Sequence, residues 1–345
     1  MVSPAPLLTR NNNLIQDIII VDGIPGCGKT MVSAIISSLD RVELMKFCYD
    51  IEYYCILNHY NNINLNVAQS MIKLKVDQLI YDLMMSREVN FRYSDLSSVF
   101  KTSNKLRYFK RIFQKGDQVI PDRIKKEKPI LHLTTHMMSA FNLPILKALN
   151  KNITFLSMHR DPIYMIKQNI FNVKNLYNTP RDFQLYYKYK KNSLPFYTKG
   201  WEKDFINSNG KERSIFYLEW IRKKIIENKK NNILFNNFYE FTFESFVQSP
   251  EYHLNKINKF LKTNITRSTK DTLKRERIPR KLISDGRNLE IYRRVGWKKI
   301  KAKNKVDEYI QLYNWAYKDI SRKAKKSLDW LISDYKILEQ KINEI

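Results

Sequence analysis

The chain has 345 residues, of which 43% are hydrophobic and 13% aromatic, so its composition excludes a disordered protein and allows a large core. Its formal net charge of +27 favours partners that carry phosphate or sulfate groups. Lysine-rich runs are usually solvated surface, however, so the charge alone does not indicate nucleic-acid binding and we expect no nucleic-acid partner.

The N-terminal residues and the cysteines suggest the compartment. Residues 1–13 lack the basic and apolar pattern of a secretory signal, and the apolar stretch 18–21 is too short to cross a bilayer. Cys27, Cys48 and Cys55 show no metal-ligand spacing and are few and odd in number. We therefore expect a cytoplasmic protein without a membrane segment, whose oligomeric state the sequence leaves open.

The first half of the chain begins with a strand and continues mainly as helices. Residues 18–21 form a continuous run of β-branched residues, typical of a buried parallel strand, and a glycine-rich turn and a helix over 30–39 follow. Apolar residues at three- and four-residue spacing indicate helices in most of 41–128. This stretch is too long for a simple crossover, so we interpret it as a helical insertion.

Further strands and helices alternate in the rest of the chain, around an irregular stretch at 174–210. We expect strands at 129–135 and 153–158, and a strand-prone region at 233–238 and 240–243. Helices are expected at 163–173, 214–228, 250–261 and 306–345.

This order predicts an α/β protein with a three-layer P-loop fold. Its central sheet would be mostly parallel, with helices on both faces and the helical insertion, about 41–128, after the first βα unit. We expect a single domain over 1–345 that ends in C-terminal helices at about 306–345.

A phosphate-binding loop gives the strongest functional signal. Residues 23–30 read Gly-Ile-Pro-Gly-Cys-Gly-Lys-Thr, which fits the P-loop pattern of two separated glycines followed by Lys and Thr. Glycines allow the backbone to wrap around phosphate oxygens, and the following helix places its positive end against the anion. The expected ligand-binding residues of this loop are Gly23, Pro25, Gly26, Cys27, Gly28, Lys29 and Thr30.

The sequence offers little support for a nucleotide-hydrolysing motor. Such proteins usually hold Mg²⁺ with an acidic residue at a second strand end. The strand that ends at Thr135 carries no carboxylate there, and Asp161 follows Arg160 rather than the strand itself. Group transfer that relies on positioning and charge is the better interpretation.

Four further segments have a recognisable order. Thr134-Thr135-His136 ends one predicted strand, and residues 155–162 read Phe-Leu-Ser-Met-His-Arg-Asp-Pro at the end of the next. Residues 243–250 read Phe-Glu-Ser-Phe-Val-Gln-Ser-Pro before a helix, and residues 293–298 read Arg-Arg-Val-Gly-Trp-Lys. With the loop, these segments resemble the sulfotransferases that use 3′-phosphoadenosine 5′-phosphosulfate (PAPS) as donor.

The resemblance implies a role for each matching residue. Lys29 would balance charge on the leaving phosphate, and His136 would take the proton of the acceptor. The donor's 3′-phosphate and adenine would be bound by Arg160, Gln168, Phe243, Arg293, Arg294 and Gly296. In this chain Gly26 stands where family members usually carry Lys or Arg after the loop Pro, and Gln168 stands where they carry Ser.

The resulting hypothesis is transfer of a sulfuryl group from PAPS to a hydroxyl or amine, without a metal. The acceptor would be a small molecule or a glycan, and a carbohydrate is one candidate. Tyrosines interleaved with Lys188, Lys190 and Lys191 would suit a sugar or an anionic acceptor, although packing of a lid explains them equally well.

Two alternatives stay open. A P-loop kinase that transfers phosphate from ATP would suit the intact Gly-Lys-Thr sequence, and it would need Mg²⁺. A non-catalytic protein that binds nucleotides or polyanions would suit the net charge of +27.

Overall fold

The computed structural model describes residues 8–11, 13–15, 17–93, 95, 97–102, 104–149, 153–176, 179–231, 235–285 and 300–344. Seven strands lie in this part of the chain: β1 Asp17–Gly23, β2 Lys46–Phe47, β3 Ile130–Thr135, β4 Ile153–His159, β5 Tyr186–Tyr189, β6 Asn192–Pro195 and β7 Asn237–Thr242.

The central sheet has five strands in the order β2-β3-β1-β4-β7, and every neighbouring pair is parallel. Strands β3 and β4 are buried along their whole length, which explains their apolar sequences. The register pairs Asp22 with Thr135 and Gly23 with Met158. The carboxyl ends of the three middle strands therefore meet at one edge, where the segments that follow them come together.

Helices surround this sheet. In chain order they are α1 Lys29–Ile36, α2 Tyr49–His59, α3 Leu65–Met84, α4 Lys105–Ile112, α5 Ile120–Glu127, α6 Met138–Phe141, α7 Leu143–Leu149, α8 Pro162–Leu176, α9 Glu202–Asn207, α10 Gly210–Lys230, α11 Phe243–Gln248, α12 Pro250–Leu261, α13 Arg267–Arg275, α14 Lys305–Tyr317 and α15 Arg322–Asn343. The predicted fold class, a mostly parallel sheet with surrounding helices, is confirmed. That residues 1–345 form a single domain stays a prediction.

Helices α2 to α5 lie between β2 and β3, where the sequence predicts the helical insertion. A buried ion pair fixes this region to the sheet: Arg111 of α4 donates to Glu43 at 2.8 and 3.0 Å, just before β2. Strand β2 itself falls inside the stretch expected to be helical, and two residues are too few to show a strand pattern.

One expectation about local structure was wrong in part. The segment 174–210, expected to be loop with short helices, contains an antiparallel hairpin of β5 and β6. Its turn carries Lys190 at a φ of 52°, so the glycine or asparagine that usually marks such a turn is missing from the sequence. The C-terminal helices expected at about 306–345 are present as α14 and α15. The helical path is interrupted at Asp319, with a φ of 57°, and Ser321 caps α15.

Among the described residues, no helix combines the length and the apolar character that a bilayer span requires.

Candidate functional site

The loop after β1 has the backbone of a tight anion-binding turn. Gly26 and Gly28 adopt φ values of 93° and 95°, which side chains other than glycine rarely adopt. The Cys27 N–H donates to the Ile24 carbonyl at 3.0 Å, which closes the turn. At Gly28 an added Cβ would lie 2.4 Å from the Phe243 ring, so only glycine fits between the loop and α11.

Helix α1 starts directly at the end of this loop. It has no acidic residue in its first turn, and its N-cap, Gly28, offers no side-chain acceptor to the first backbone N–H groups. Lys29 and Thr30, the first two residues of the helix, line a cleft of about 390 Å³. This helix end is therefore suited to hold an anion in the cleft.

The cleft brings together most of the residues predicted from the sequence. Those that line it are Pro25, Gly26, Gly28, Lys29, Thr30, His136, Arg160, Gln168 and Phe243. Gly23 and Cys27 are buried and do not line this cleft. The predicted residues Arg293, Arg294 and Gly296 lie outside the described part of the chain.

Positive charge dominates the described lining of this cleft. Six lysine or arginine side chains contribute to it, against the single carboxylate of Glu276: Lys29, Lys101, Arg160, Lys167, Arg275 and Arg280. A ligand that carries several negative charges is the natural complement of such a surface.

Two of these cations share one aromatic ring. The guanidinium carbon of Arg160 lies 4.3 Å from the centroid of the Phe243 ring, and that of Arg280 lies 5.5 Å from it. Burial lowers the pKa of Arg280 to about 10, and the positive charge of Arg160 contributes to the shift. The two groups therefore repel each other in the free protein, and an anion bound beside them would relieve the repulsion.

Both arginines keep hydrogen-bonding capacity. The Nε atoms of Arg160 and Arg280 are buried and have no hydrogen-bond partner among the described residues. Arg160 also donates from Nη1 to the Gly26 carbonyl at 3.0 Å, so its guanidinium lies directly on the phosphate loop. Phe243, expected to touch adenine, is 2% exposed and supports the two guanidinium groups in this structure.

Lys29 lies deep in the loop and is 4% exposed. Burial lowers the pKa of its ammonium group, and the charges of Cys27, Asp22 and Glu52 oppose this effect. A lysine in such a position acts strongly on charge that develops nearby, because little water screens it.

His136 is held by a carboxylate that the sequence did not point out. Its backbone N–H donates to Glu52 Oε2 at 3.0 Å, and its Nδ1 lies 3.1 Å from Glu52 Oε1. The ring stacks on Tyr49 with an interplanar angle of 7° and a centroid distance of 5.8 Å. These contacts fix the orientation of the imidazole at the edge of the cleft.

The His136–Glu52 pair is shifted away from its charged forms. Burial, and then the charge of Lys29, hold the pKa of His136 well below 6.5, while Asp22 acts in the opposite direction. Burial and the charge of Asp22 hold the pKa of Glu52 well above 4.5, opposed by Lys29. At neutral pH the imidazole is therefore neutral, as a proton acceptor must be.

Asp22, at the end of β1, has a structural task. Its carboxylate accepts hydrogen bonds from the Thr135 hydroxyl at 2.8 Å and the Met138 N–H at 2.9 Å. It also accepts from the Ser139 N–H and hydroxyl at 2.7 and 2.6 Å. Asp22 thus fixes the turn that presents His136 beside the phosphate loop.

Sequence reasoning missed Glu52 and Arg280. The available signal for Glu52 was a carboxylate within the apolar stripe of α2, between the buried residues Ile51 and Cys55. Arg280 follows a basic run and Pro279, but nothing in that pattern distinguishes a buried arginine from a solvated one.

A second cavity, of about 280 Å³, adjoins the cleft. Both are lined by Pro25, Tyr49 and His136, so His136 lies where the two meet. Within the described residues no group of three or more His, Cys, Asp or Glu side chains is arranged to hold a metal ion. The expectation that no metal is required stays a prediction.

No family model matches the chain, and no curated protein matches it either. Among solved structures, it is similar to the sulfotransferase domain from the curacin biosynthetic pathway, with a TM-score of 0.43 and 9% identity over 93% of this chain and 98% of that one. It is also similar to mouse sulfotransferase SULT7A1 complexed with PAP, with a TM-score of 0.40 and 12% identity over 96% of this chain and 90% of that one. A third similar structure is retinol dehydratase in complex with androsterone and the inactive cofactor PAP, with a TM-score of 0.37 and 12% identity over 93% of this chain and 80% of that one.

The two sulfotransferases among these neighbours carry the name of the family that the sequence motifs resemble. At such identities and TM-scores, the similarity is too weak to establish an activity. The function therefore has to be argued from the residues of this chain.

Proposed function

We propose that the chain is a sulfotransferase that moves a sulfuryl group from PAPS to a hydroxyl or amine. One observation carries the proposal: a single cleft holds an anion-binding loop at Lys29 and a second cationic site formed by Arg160 and Arg280. PAPS carries a phosphosulfate at the 5′ position of an adenosine and a phosphate at the 3′ position. Two anion sites in one cleft match that distribution of charge.

The two ends of the donor would be bound differently. The N-terminus of α1 and Lys29 would hold the 5′-phosphosulfate. Arg160 and Arg280 would bind the 3′-phosphate through donors such as the Nε atoms that lack partners among the described residues. Gln168 lines the same cleft and would add an amide contact.

In the reaction, His136 acts as the base. The active form is the one in which Glu52 is ionised and accepts from Nδ1 of His136, because the lone pair of Nε2 is then free to take the acceptor's proton. A protonated Glu52 would donate to Nδ1 and leave the imidazole proton on Nε2, and burial favours this inactive form. The acceptor oxygen or nitrogen then forms a bond to sulfur while the bond from sulfur to the bridging oxygen breaks. The leaving phosphate keeps that electron pair, and Lys29 and the loop N–H groups stabilise its negative charge.

The experiment is a transfer assay with radiolabelled PAPS and simple phenols in the presence of EDTA. We expect labelled sulfate ester to form, and His136→Ala to lower kcat about 10²- to 10⁴-fold. The control is His59→Asn, because His59 lies in a different cavity. Full activity of the His136→Ala protein would remove the base from the mechanism.

A phosphate-transferring kinase is the alternative that the Gly-Lys-Thr sequence favours. The same assay with labelled ATP and Mg²⁺ distinguishes the two activities. Transfer from ATP that stops on addition of EDTA, without any transfer from PAPS, would replace the sulfotransferase proposal by the kinase.

A further inference from the structure

Helix α4 turns its polar face to the protein and its apolar face to solvent, which is the reverse of most surface helices. Tyr108 and Arg111 are buried, and Arg111 pairs with the buried Glu43. Leu106 and Phe113 lie on the opposite side of the helix and are 67% and 88% exposed. Contiguous apolar surface of this kind indicates a contact with a partner, because its removal from water is favourable.

The segment before α4 extends this surface with aromatic rings. The Phe91 ring lies 6.3 Å from Phe100 and 5.9 Å from Phe109 of α4, between centroids, and Tyr93 lies 5.8 Å from Phe100. Phe91, Tyr93 and Phe100 are exposed. We call the whole surface the apolar patch, and its members are Phe91, Tyr93, Phe100, Leu106, Phe109, Ile112 and Phe113.

Positive charge borders the apolar patch. Lys105 and Lys110 are exposed on α4, on either side of its apolar face, and Lys115 is exposed just beyond the helix. None of these three lysines forms an ion pair with a described residue. The sequence over 91–115 has seven lysine or arginine residues against one aspartate. The surface therefore combines exposed apolar groups with an excess of cations.

Nearby carboxylates do not cancel this excess. Each of the three acidic residues in 88–117 is already paired with a cation: Glu88 with Lys46, Asp95 with Arg92, and Asp117 with Arg87. The unpaired lysines beside the patch thus call for a partner with negative charge of its own.

The combination of charge and side-chain type indicates which partner this is. A second copy of the chain would bring the same lysines face to face, and like charges repel. Single-stranded nucleic acid would complement the lysines, but exposed aliphatic side chains such as Leu106 and Ile112 give no platform for stacked bases. An anionic bilayer complements both features, because its headgroups attract lysines while apolar side chains enter the acyl boundary.

We propose that the chain binds to the surface of membranes rich in anionic phospholipids, with the apolar patch inserted and Lys105 and Lys110 against the headgroups. This inference does not depend on the proposed sulfotransferase function, since no member of the patch lines the donor cleft or the cavity beside His136.

The test is flotation of the full chain with two kinds of vesicle. One kind contains phosphatidylcholine alone, and the other is a mixture of phosphatidylcholine and phosphatidylglycerol. We expect binding to the mixed vesicles to be at least about tenfold tighter than to phosphatidylcholine, and to weaken as salt is added.

A pair of apolar variants locates the contact. Leu106→Ser with Phe113→Ser should weaken binding to the mixed vesicles about tenfold or more, because two inserted side chains are lost. The matched control is Val306→Ser with Ile310→Ser on α14, at residues that are 67% and 50% exposed, and it should bind as the unmodified chain does.

A pair of charge variants separates the local lysines from the net charge of +27. Lys105→Gln with Lys110→Gln should weaken binding to the mixed vesicles about tenfold or more. Lys325→Gln with Lys326→Gln removes the same charge from exposed positions of α15 and should have little effect.

A third variant reports insertion directly. In Phe113→Trp, fluorescence should be quenched by brominated lipid in the mixed vesicles, beyond any quenching of the unmodified chain. This reading decides the matter even if the serine variant does not fold.

Three results would overturn the inference. They are absence of binding to the mixed vesicles, unchanged binding of the folded serine variant, and absence of added quenching in Phe113→Trp. Patch-dependent binding of an oligothymidylate, or patch-dependent self-association in sedimentation, without vesicle binding would assign the patch to nucleic acid or to a second copy instead.

Discussion

The proposed donor site depends most on the two guanidinium groups beside Phe243, those of Arg160 and Arg280. Arg160 comes from the segment after β4 and Arg280 from the segment after α13, so the fold brings them together over a separation of 120 positions. The two groups repel each other, and their Nε atoms lack hydrogen-bond partners among the described residues, although Glu244 Oε1 lies 3.9 Å from Arg160 Nε. Both features are unfavourable in the free protein. A bound phosphate would compensate for both.

Gly28 connects the loop to this ring. For Gly28→Ala we expect a loss of about 2 to 4 kcal/mol in the free energy of unfolding, because the new Cβ meets Phe243 at 2.4 Å and the φ is 95°. The control is Gly200→Ala, with a φ of 98° and no atom within 4 Å of the Cβ, which should cost about 1 kcal/mol. Urea denaturation measures both, and equal losses would show that the contact with Phe243 is unimportant.

At the scale of elements, the ion pair between Glu43 and Arg111 holds α4 against the chain that enters β2. The side chains are 0% and 3% exposed. Burial opposes ionisation of Glu43, but the guanidinium groups of Arg107 and Arg111 outweigh it and lower the pKa of the carboxyl. The pair is therefore ionised at neutral pH, and each partner depends on the other.

For Arg111→Met we expect a destabilisation of about 3 to 5 kcal/mol, since the charge of Glu43 would stay buried with only Arg107 near it. Removing both charges, in Glu43→Leu with Arg111→Met, should cost less than the single change. On the surface of α5, Lys125→Met breaks an exposed pair with Asp122 and should cost below about 1 kcal/mol. Chemical denaturation measures the free energy of unfolding of each variant. If Arg111→Met loses as little as the surface variant, the buried pair does not stabilise the fold.

The elements also show how far sequence reasoning reaches. Strands β1, β3 and β4 were predictable because both faces are covered, so apolar residues occur on both faces instead of alternating with polar ones. The hairpin of β5 and β6 could not be predicted, because Lys190 stands in its turn where glycine or asparagine is usual. In the site, the loop and His136 have local motifs, whereas Glu52 and Arg280 owe their positions to tertiary packing across 84 and 120 residues.

At the scale of the whole molecule, buried histidines make the fold sensitive to acid. Burial lowers the pKa of His132 to about 3 from the ordinary histidine value of 6.5, which applies in the unfolded chain. Below pH 6.5 the unfolded chain therefore binds a proton that the folded protein does not, and stability falls as the pH falls towards 3.

From pH 7 to pH 5 we expect His132 to contribute a loss of about 2 kcal/mol in the free energy of unfolding. Urea denaturation at the two pH values measures the loss, and His132→Asn should reduce it. A variant with an unchanged pH dependence would show that His132 is not the source.

The proposed donor cleft is also a property of the whole molecule, because the loop after β1, the helices α1, α8 and α11, and the segment after α13 all contribute to it. Its cationic lining would attract many anions weakly. What distinguishes the proposed donor is the presence of phosphate at both the 3′ and 5′ positions, since each anion site then has its own partner.

Calorimetric binding of adenosine 3′,5′-bisphosphate (PAP), compared with adenosine 5′-phosphate and with ATP plus Mg²⁺, tests this most directly. We predict that PAP binds at least tenfold more tightly than adenosine 5′-phosphate, because a phosphate held by a guanidinium contributes about 1.5 to 3 kcal/mol. Arg280→Gln should abolish most of that difference, while Arg123→Gln should preserve it. Equal affinities for PAP and adenosine 5′-phosphate, or binding of ATP with Mg²⁺ alone, would contradict the assignment of the cleft.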